Sequence, residues 1–331
     1  DRSVVSGRLL IHSGLAARDT AGSSLLDYYT GRYTHSSREQ WRKRIVSGQV
    51  QIEAEVVTDP DRALAAGQIL AYHRPPWTEA DVPTHIGTVL EDEHLLVVDK
   101  PAGLPVLPGG NFLENTLLWM LRARHGQTLA PLHRLGRGTS GLIAFGKSDT
   151  ARSGLSADFA RGHVDKTYRA LVSGQVRADE FTVTNPIGRV DYPPLGSVFA
   201  VADASTGAGK DSRSEVRVLE RTESESLVEV RIPTGRPHQI RIHLAAAGHP
   251  LVGERLYATG GLPRPLTRSE PPPLPGDCGF HLHSTRLSLR HPAEPNAVVS
   301  LWSLPPEVLR TRAESGPASR VSRRHARALS S

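Results

Sequence analysis

Gly136, Gly138 and Gly141 spell G-x-G-x-x-G in the run HRLGRGTSG, and the apolar segment just after that run restricts the fold more than any other feature. A dinucleotide cradle needs a strand before the glycines and a helix opening on them, whose N-terminal N–H groups and dipole hold the pyrophosphate. Here the glycines lead into LIAFGKS, apolar and too short for a helix before Gly146. No acidic residue closes a second parallel strand downstream, and the Walker pattern G-x-x-x-x-G-K-[ST] is absent. A doubly wound fold and a nucleotide cofactor both drop out.

The rest of the chain reads as α+β, with a mixed, largely antiparallel sheet and flanking helices. TVLEDEHLLVVDK and LIAFGKS read as strands around a helix in NTLLWMLRARHG. ARSGLSADFARGHV reads as a helix and KTYRALVSG as a strand, and EVRVLERT with SLVEVRIP forms a hairpin. HQIRIHLAAAGHP is expected to start as strand and end as helix. Upstream, Ser36 and Ser37 cap a short helix that Gly48 ends. QVQIEAEVV alternates as a strand, and ALAAGQILAYHRPP turns at Gly67 into another. That helix carries Arg38, Trp41, Arg42, Lys43 and Arg44. Such a basic face can lie on phosphates or simply be solvated. Four regions are expected: an extension at 1–35, a small domain with a Pro-rich linker at 36–80, a larger domain at 81–310 and a basic tail at 311–331.

Charge points to the partner. Lys and Arg number 40 against 34 Asp and Glu, a formal net charge of +6, which suits a polyanion such as RNA. The single cysteine, Cys278, excludes a disulfide framework and a Cys-based zinc site, and favours a reducing compartment. No apolar run is long enough to span a membrane, and the opening residues lack a signal-peptide apolar segment. The chain begins without Met, so a preceding segment is expected. A cytoplasmic location is expected, bacterial or, in a eukaryote, cytosolic or organellar.

Five segments, in order, resemble one family. PLHRLGRGTSGLIAFGKS resembles the active-site loop of the RluA-type RNA pseudouridine synthases. LEDEHLLVVDKPAGLPVLPGG resembles their first motif, KTYRALVSG their tyrosine motif and FHLHSTRLSLRHP their closing strand. RIPTGRPHQIRIHLAAAGHPLVGERLYA resembles their arginine motif and is the most specific of the five. The similarity runs from about Thr88 to Pro305, and residues 36–80 resemble the small α-L RNA-binding domain that many members carry upstream. The resemblance implies a pseudouridine synthase fold and a cofactor-free, metal-free isomerisation of uridine to pseudouridine in structured RNA, rRNA or tRNA. A monomer is the expected state.

The resemblance also assigns roles. Arg134 matches an arginine of base flipping and phosphate contact, Tyr168 a tyrosine that stacks on the target base, and Arg241 an arginine that pairs with the catalytic Asp. That Asp directly follows H-R-L in the family, where this chain has Gly136; Gly138 replaces a second acidic position. Loss of such a group costs on the order of 10⁴- to 10⁶-fold in rate. Either another carboxylate substitutes, with Asp99 and Asp149 the candidates by proximity in sequence, or the chain is a non-catalytic RNA-binding protein using the same cleft. His133, Arg137, Thr139, Lys166, Arg236, His238, Gln239, Arg42 and Lys43 are the further expected RNA contacts. Arg241, lacking its family partner, should find another acid or an RNA phosphate. His238 and His243 could suggest a metal site, but no Cys or suitably spaced acid joins them, and with His281 and His283 they read as satisfied structural histidines.

Overall fold

The computed structural model describes residues 22–33, 36–202, 209–267, 270–294 and 296–315, with the backbone of two short strands, β1 (Val4–Val5) and β2 (Gly14–Leu15). Most of the expected extension and residues 316–331 of the expected tail lie outside them. The chain divides into two compact units, Asp1–Asp81 with Pro193–Gly196, and Val82–Tyr192 with Ser197–Ser331.

The first unit packs two helices, α1 (Leu25–Arg32) and α2 (Arg38–Val46), with a four-stranded sheet in the order β2–β5–β3–β4. Its strands are β3 (Val50–Ile52), β4 (Glu55–Val57) and β5 (Ile69–Tyr72), while β6 (Trp77–Thr78) pairs with β1. Ser37 starts α2 with a reciprocal capping box to Gln40. The core joins Leu25, Leu26 and Tyr29 of α1 to Trp41 and Ile45 of α2 and to Val50, Ile52 and Leu70 of the sheet. Residues 25–32 therefore belong to this unit's core rather than to an extension. Trp41 is 2% exposed, so it is no part of a surface stack; Arg44 covers it, 4.5 Å above the ring. QVQIEAEVV is a hairpin rather than one strand. Its turn residues Glu53 and Ala54 both take positive φ without the Gly or Asn that marks such turns.

The second unit is built on a ten-stranded sheet with a spine in the order β12–β16–β17–β11–β18–β10–β8–β7. In chain order these are β7 (Gly87–Glu91), β8 (Leu95–Lys100), β9 (Ala130–Pro131), β10 (Ser140–Gly146), β11 (Asp165–Ser173) and β12 (Glu180–Val183). A three-stranded sheet comes next, of β13 (Ile187–Tyr192), β14 (Gly196–Val201) and β15 (Gly209–Lys210). The large sheet is completed by β16 (Ser214–Arg221), β17 (Glu225–Arg231), β18 (Leu282–Arg290) and β19 (Val298–Trp302). Its pairings are antiparallel except β10 with β18. TVLEDEHLLVVDK folds as the β7–β8 hairpin rather than one strand, because Asp92 Oδ1 accepts from the N–H groups of His94 (2.7 Å) and Leu95 (2.8 Å) and closes a turn.

Both faces of the sheet centre are buried, which is why LLVV and LIAF are apolar throughout. Leu96, Val98, Ile143 and Phe145 face one core with helices α3 (Leu117–His125) and α5 (Gln239–Ala246). Leu95, Val97, Leu142 and Ala144 face the other with α4 (Asp149–Arg161). Each fully buried Leu, Ile, Val or Phe among them contributes about 1.5–3 kcal/mol, and Ala144 less. HQIRIHLAAAGHP does not start as strand: α5 begins at Gln239. Its residues from Gln239 to Ala245 are all buried, so the pattern had no polar face to reveal the helical period.

The start of the expected tail is packed. A short helix α6 (Arg312–Ser315) brings Glu314 to the buried Arg169 of β11, with Arg169 Nη2 donating to Glu314 Oε1 at 2.8 Å. The guanidinium holds the Glu314 carboxyl at about 2. A depressed carboxyl pKa contributes stability above its ordinary value near 4.5 and loses it as pH falls through about 2. Glu314→Gln is expected to cost about 1–2 kcal/mol at pH 7, below the fully buried case because Glu314 is partly exposed. In chemical denaturation from pH 7 to pH 2, the gap from the parent chain should close between those two pKa values.

Candidate active site

The loop between β9 and β10 is held rigidly from below. The Lys100 ammonium, 0% exposed, donates to the carbonyls of Leu104 (2.7 Å), Pro101 (2.9 Å) and Arg137 (3.2 Å). Gly103 N–H donates to Arg137 O at 2.8 Å, and Arg137 Nε returns a bond to Gly103 O at 3.1 Å. The loop then enters the sheet at Gly141, φ +102°, where a Cβ would lie 2.3 Å from Ser284 O on β18. Gly138 is pressed in the same way: a Cβ would stand 2.9 Å from Phe280 Cζ and 3.3 Å from Cys278 Cα. These two glycines of G-x-G-x-x-G are required by close packing, not by a phosphate.

One strand away, β11 carries a register irregularity between Thr167 and Tyr168: Thr167 faces Arg286, but Tyr168 faces Ser284. A bulge redirects the side chains at its position, here beside the loop. The loop, Tyr168 and the N-terminal half of α5 together enclose a cavity of about 340 Å³. Its lining includes Arg134, Gly136, Tyr168 and Arg241, which lie far apart in sequence. His133, Thr139, Lys166, Arg236, His238 and Gln239 line it too. Arg137 does not; it is pinned to Gly103 and lies over the Phe112 ring at 4.7 Å. Arg42 and Lys43 are exposed on α2 of the first unit, with Lys43 paired to Glu39 at 3.0 Å.

The lining is cationic. Arg134 is exposed and makes no ion pair among the described residues. Lys166 is 4% exposed, its Nζ 5.7 Å from the centre of the Phe159 ring, and burial lowers its pKa. Burial also pushes the Tyr168 phenol up to about 12, so it stays protonated at neutral pH. Among the described residues no Asp or Glu lines the cavity. Asp99 and Asp149, the expected substitutes, are elsewhere: Asp99 Oδ2 accepts from Ser303 Oγ at 2.6 Å, and Asp149 sits exposed in the first turn of α4, paired to Arg152.

The acid that Arg241 finds is Glu254, which sequence reasoning did not single out. Arg241 Nε donates to Glu254 Oε2 at 2.6 Å and Nη2 to Oε1 at 2.7 Å, while Nη1 donates to Pro275 O at 3.0 Å. Glu254 also accepts from the N–H groups of Leu256 (2.8 Å) and Tyr257 (3.3 Å). Glu254 lies 13 residues after Arg241, across a turn, so no periodic pattern links the two.

Several expected contacts are committed to the protein itself. His133 Nε2 accepts from Ala144 N–H at 3.1 Å, its ring stacks on Phe159 at 4.5 Å, and burial pushes its pKa down to about 3. Gln239 Oε1 accepts from Arg236 N–H and Thr234 Oγ1, and its amide donates to Arg213 O at 2.8 Å. His243 donates to Asn185 O at 2.9 Å and accepts from Ser214 Oγ at 2.8 Å. His283 bridges Ser140 and Ser303. No helix of the described residues is long and apolar enough to cross a membrane.

A family model described as RNA pseudouridylate synthase matches residues 94–246. A Synechocystis sp. protein named as an uncharacterized RNA pseudouridine synthase is 42% identical over 86% of this chain and 95% of its own length. RNA pseudouridine synthase 5 of Arabidopsis thaliana is 37% identical over 92% of this chain and 96% of its own. Among solved structures, human RNA Pseudouridylate Synthase Domain Containing 1 superposes with a TM-score of 0.54 and 25% identity, covering 70% of this chain and 89% of that one.

Proposed function

The chain belongs to the RNA pseudouridylate synthase family, and from that premise we propose that its cavity receives one uridine everted from a structured RNA, rRNA or tRNA, and isomerises it to pseudouridine. The observation that supports this most is the meeting of Arg134, Tyr168 and Arg241 in one cavity beside the loop. A base inside a helix is out of reach, so it must leave the stack. Exposed Arg134 suits the phosphate flanking the everted nucleotide. The Tyr168 ring offers a stacking face for the uracil. The reaction breaks N1–C1′, turns the base and joins C5 to C1′; C5 gives up its proton to solvent and N1 takes one up, so the product is an isomer of the substrate.

The absence of a carboxylate from the lining, among the described residues, favours a second reading: capture of the uridine without turnover. Chemical mapping of pseudouridine separates the two. Cellular RNA incubated with the purified chain gains new sites under the first reading and none under the second. Both require phosphate contacts. Engagement of about five phosphates gives a log–log salt slope near −3.5 on single strands, and affinity that ignores ionic strength would remove RNA as the ligand.

A further inference from the structure

His238 caps α5 with φ +56°, a left-handed conformation uncommon for a residue other than glycine. Its Nδ1 lies 2.8 Å from the Tyr257 hydroxyl. That hydroxyl's one hydrogen is donated to Phe199 O at 2.8 Å, so the imidazole must donate through Nδ1–H. The tautomer is thereby fixed. Nε2, on the opposite edge of a ring that lines the cavity, carries a lone pair and has no protein partner among the described residues. Burial, then the Arg241 and Arg134 cations, push the His238 pKa down to about 3, which keeps that lone pair free at neutral pH.

The other side-chain acceptors on the lining do not match it. Gln239 Oε1 and His133 Nε2 are already used. The Thr139, Ser156 and Tyr168 hydroxyls each serve as donor or acceptor alike, so they cannot discriminate. The lining cations can meet carbonyl oxygens but not an N–H. The pairing edge of uracil presents acceptor, donor, acceptor: O4, N3–H, O2. Cytosine presents a donor at its amino group and a lone pair at N3. We propose that His238 selects uracil by accepting its N3–H at Nε2, an inference that rests on the uridine-capturing reading above. A cytosine would set two lone pairs against each other at that point.

The test measures binding of the full chain to single-stranded hexamers of uridine, cytidine and N3-methyluridine at one salt concentration. The parent chain is expected to prefer the uridine hexamer by about 10- to 100-fold, the effect of leaving one buried polar group unpaired. His238→Ala should bring the three affinities within about twofold of one another at an unchanged salt slope. His238→Gln, which returns an acceptor oxygen, should restore part of the preference. A His238→Ala protein that keeps the parental ratio overturns the assignment and leaves uridine capture standing. A parent chain that does not distinguish uridine from cytidine removes uridine capture and this assignment with it. Should His238→Ala fail to fold, Tyr257→Phe carries the test. With Nδ1 released either tautomer is open, so the preference should fall several-fold; an undiminished preference overturns the assignment.

Discussion

Replacing Gly136 by Asp is expected to raise the rate of pseudouridine formation by on the order of 10⁴-fold, the scale of loss when a catalytic nucleophile is removed from a site that still binds its substrate. Cleavage of a glycosidic bond builds positive charge on the sugar, and a carboxylate beside it can stabilise that charge, attack it or take a proton. The fold has room for the group. A Cβ at residue 136 would have Thr139 Oγ1 as its nearest neighbour, at 3.5 Å, an ordinary contact, and the backbone there is not left-handed. The position lines the cavity with Arg134 and Arg241, whose cations would keep a new carboxylate ionised. Gly138→Asp is the matched control: its Cβ would run into Phe280 and Cys278, so it should disturb the loop and give no gain. Single-turnover formation of pseudouridine, followed by mass spectrometry, reads both variants. A measurable native rate that changes within about tenfold in Gly136→Asp would mean that the native chain already holds a full catalytic complement in groups other than residue 136, and no formation by either protein would leave capture without turnover.

Much of this architecture is legible in the amino-acid sequence, and the exceptions share a cause. LIAFGKS after the glycines excludes a dinucleotide fold, and EVRVLERT with SLVEVRIP does fold as a hairpin, β16–β17. Three features escape. The helical period of QIRIHLAA is masked because α5 is buried all round. The turns at Glu53–Ala54 and Asp92–His94 use residues other than Gly or Pro and are held by tertiary or side-chain bonds, so alternation reads straight through them. Trp41 lies among basic residues in sequence, but its own turn of α2 points into the core of its unit. The meeting of Arg134, Tyr168 and Arg241 is carried by ordered motifs. The acid beside Arg241 is not, because a salt bridge across a turn leaves no periodic trace, and Glu254 is an ordinary residue until the fold closes.

Glu254→Ala is expected to destabilise the second unit by about 3–5 kcal/mol, because it strands the Arg241 guanidinium in a place where its side chain is 4% exposed. Two charge-assisted bonds vanish, and the N–H groups of Leu256 and Tyr257 lose their acceptor. Removing both charges is a different matter. An Arg241→Met, Glu254→Leu double variant strands no ion, and apolar replacement of a buried pair is often neutral or stabilising, so it should recover most of the lost stability. Equilibrium denaturation of the three proteins gives the contrast; equal losses in the single and double variants would show that the backbone N–H groups, not the stranded cation, set the cost. The pair also bears on Gly136→Asp. Arg241 gives Nε and one hydrogen of each terminal nitrogen to Glu254 and Pro275, which leaves two N–H hydrogens for a new neighbour. A carboxylate at 136 thus has an arginine to meet without breaking the Glu254 pair. In a double-mutant cycle with Glu254→Gln, Gly136→Asp should relieve part of the stability loss, since the added acid supplies the charge that Arg241 has lost.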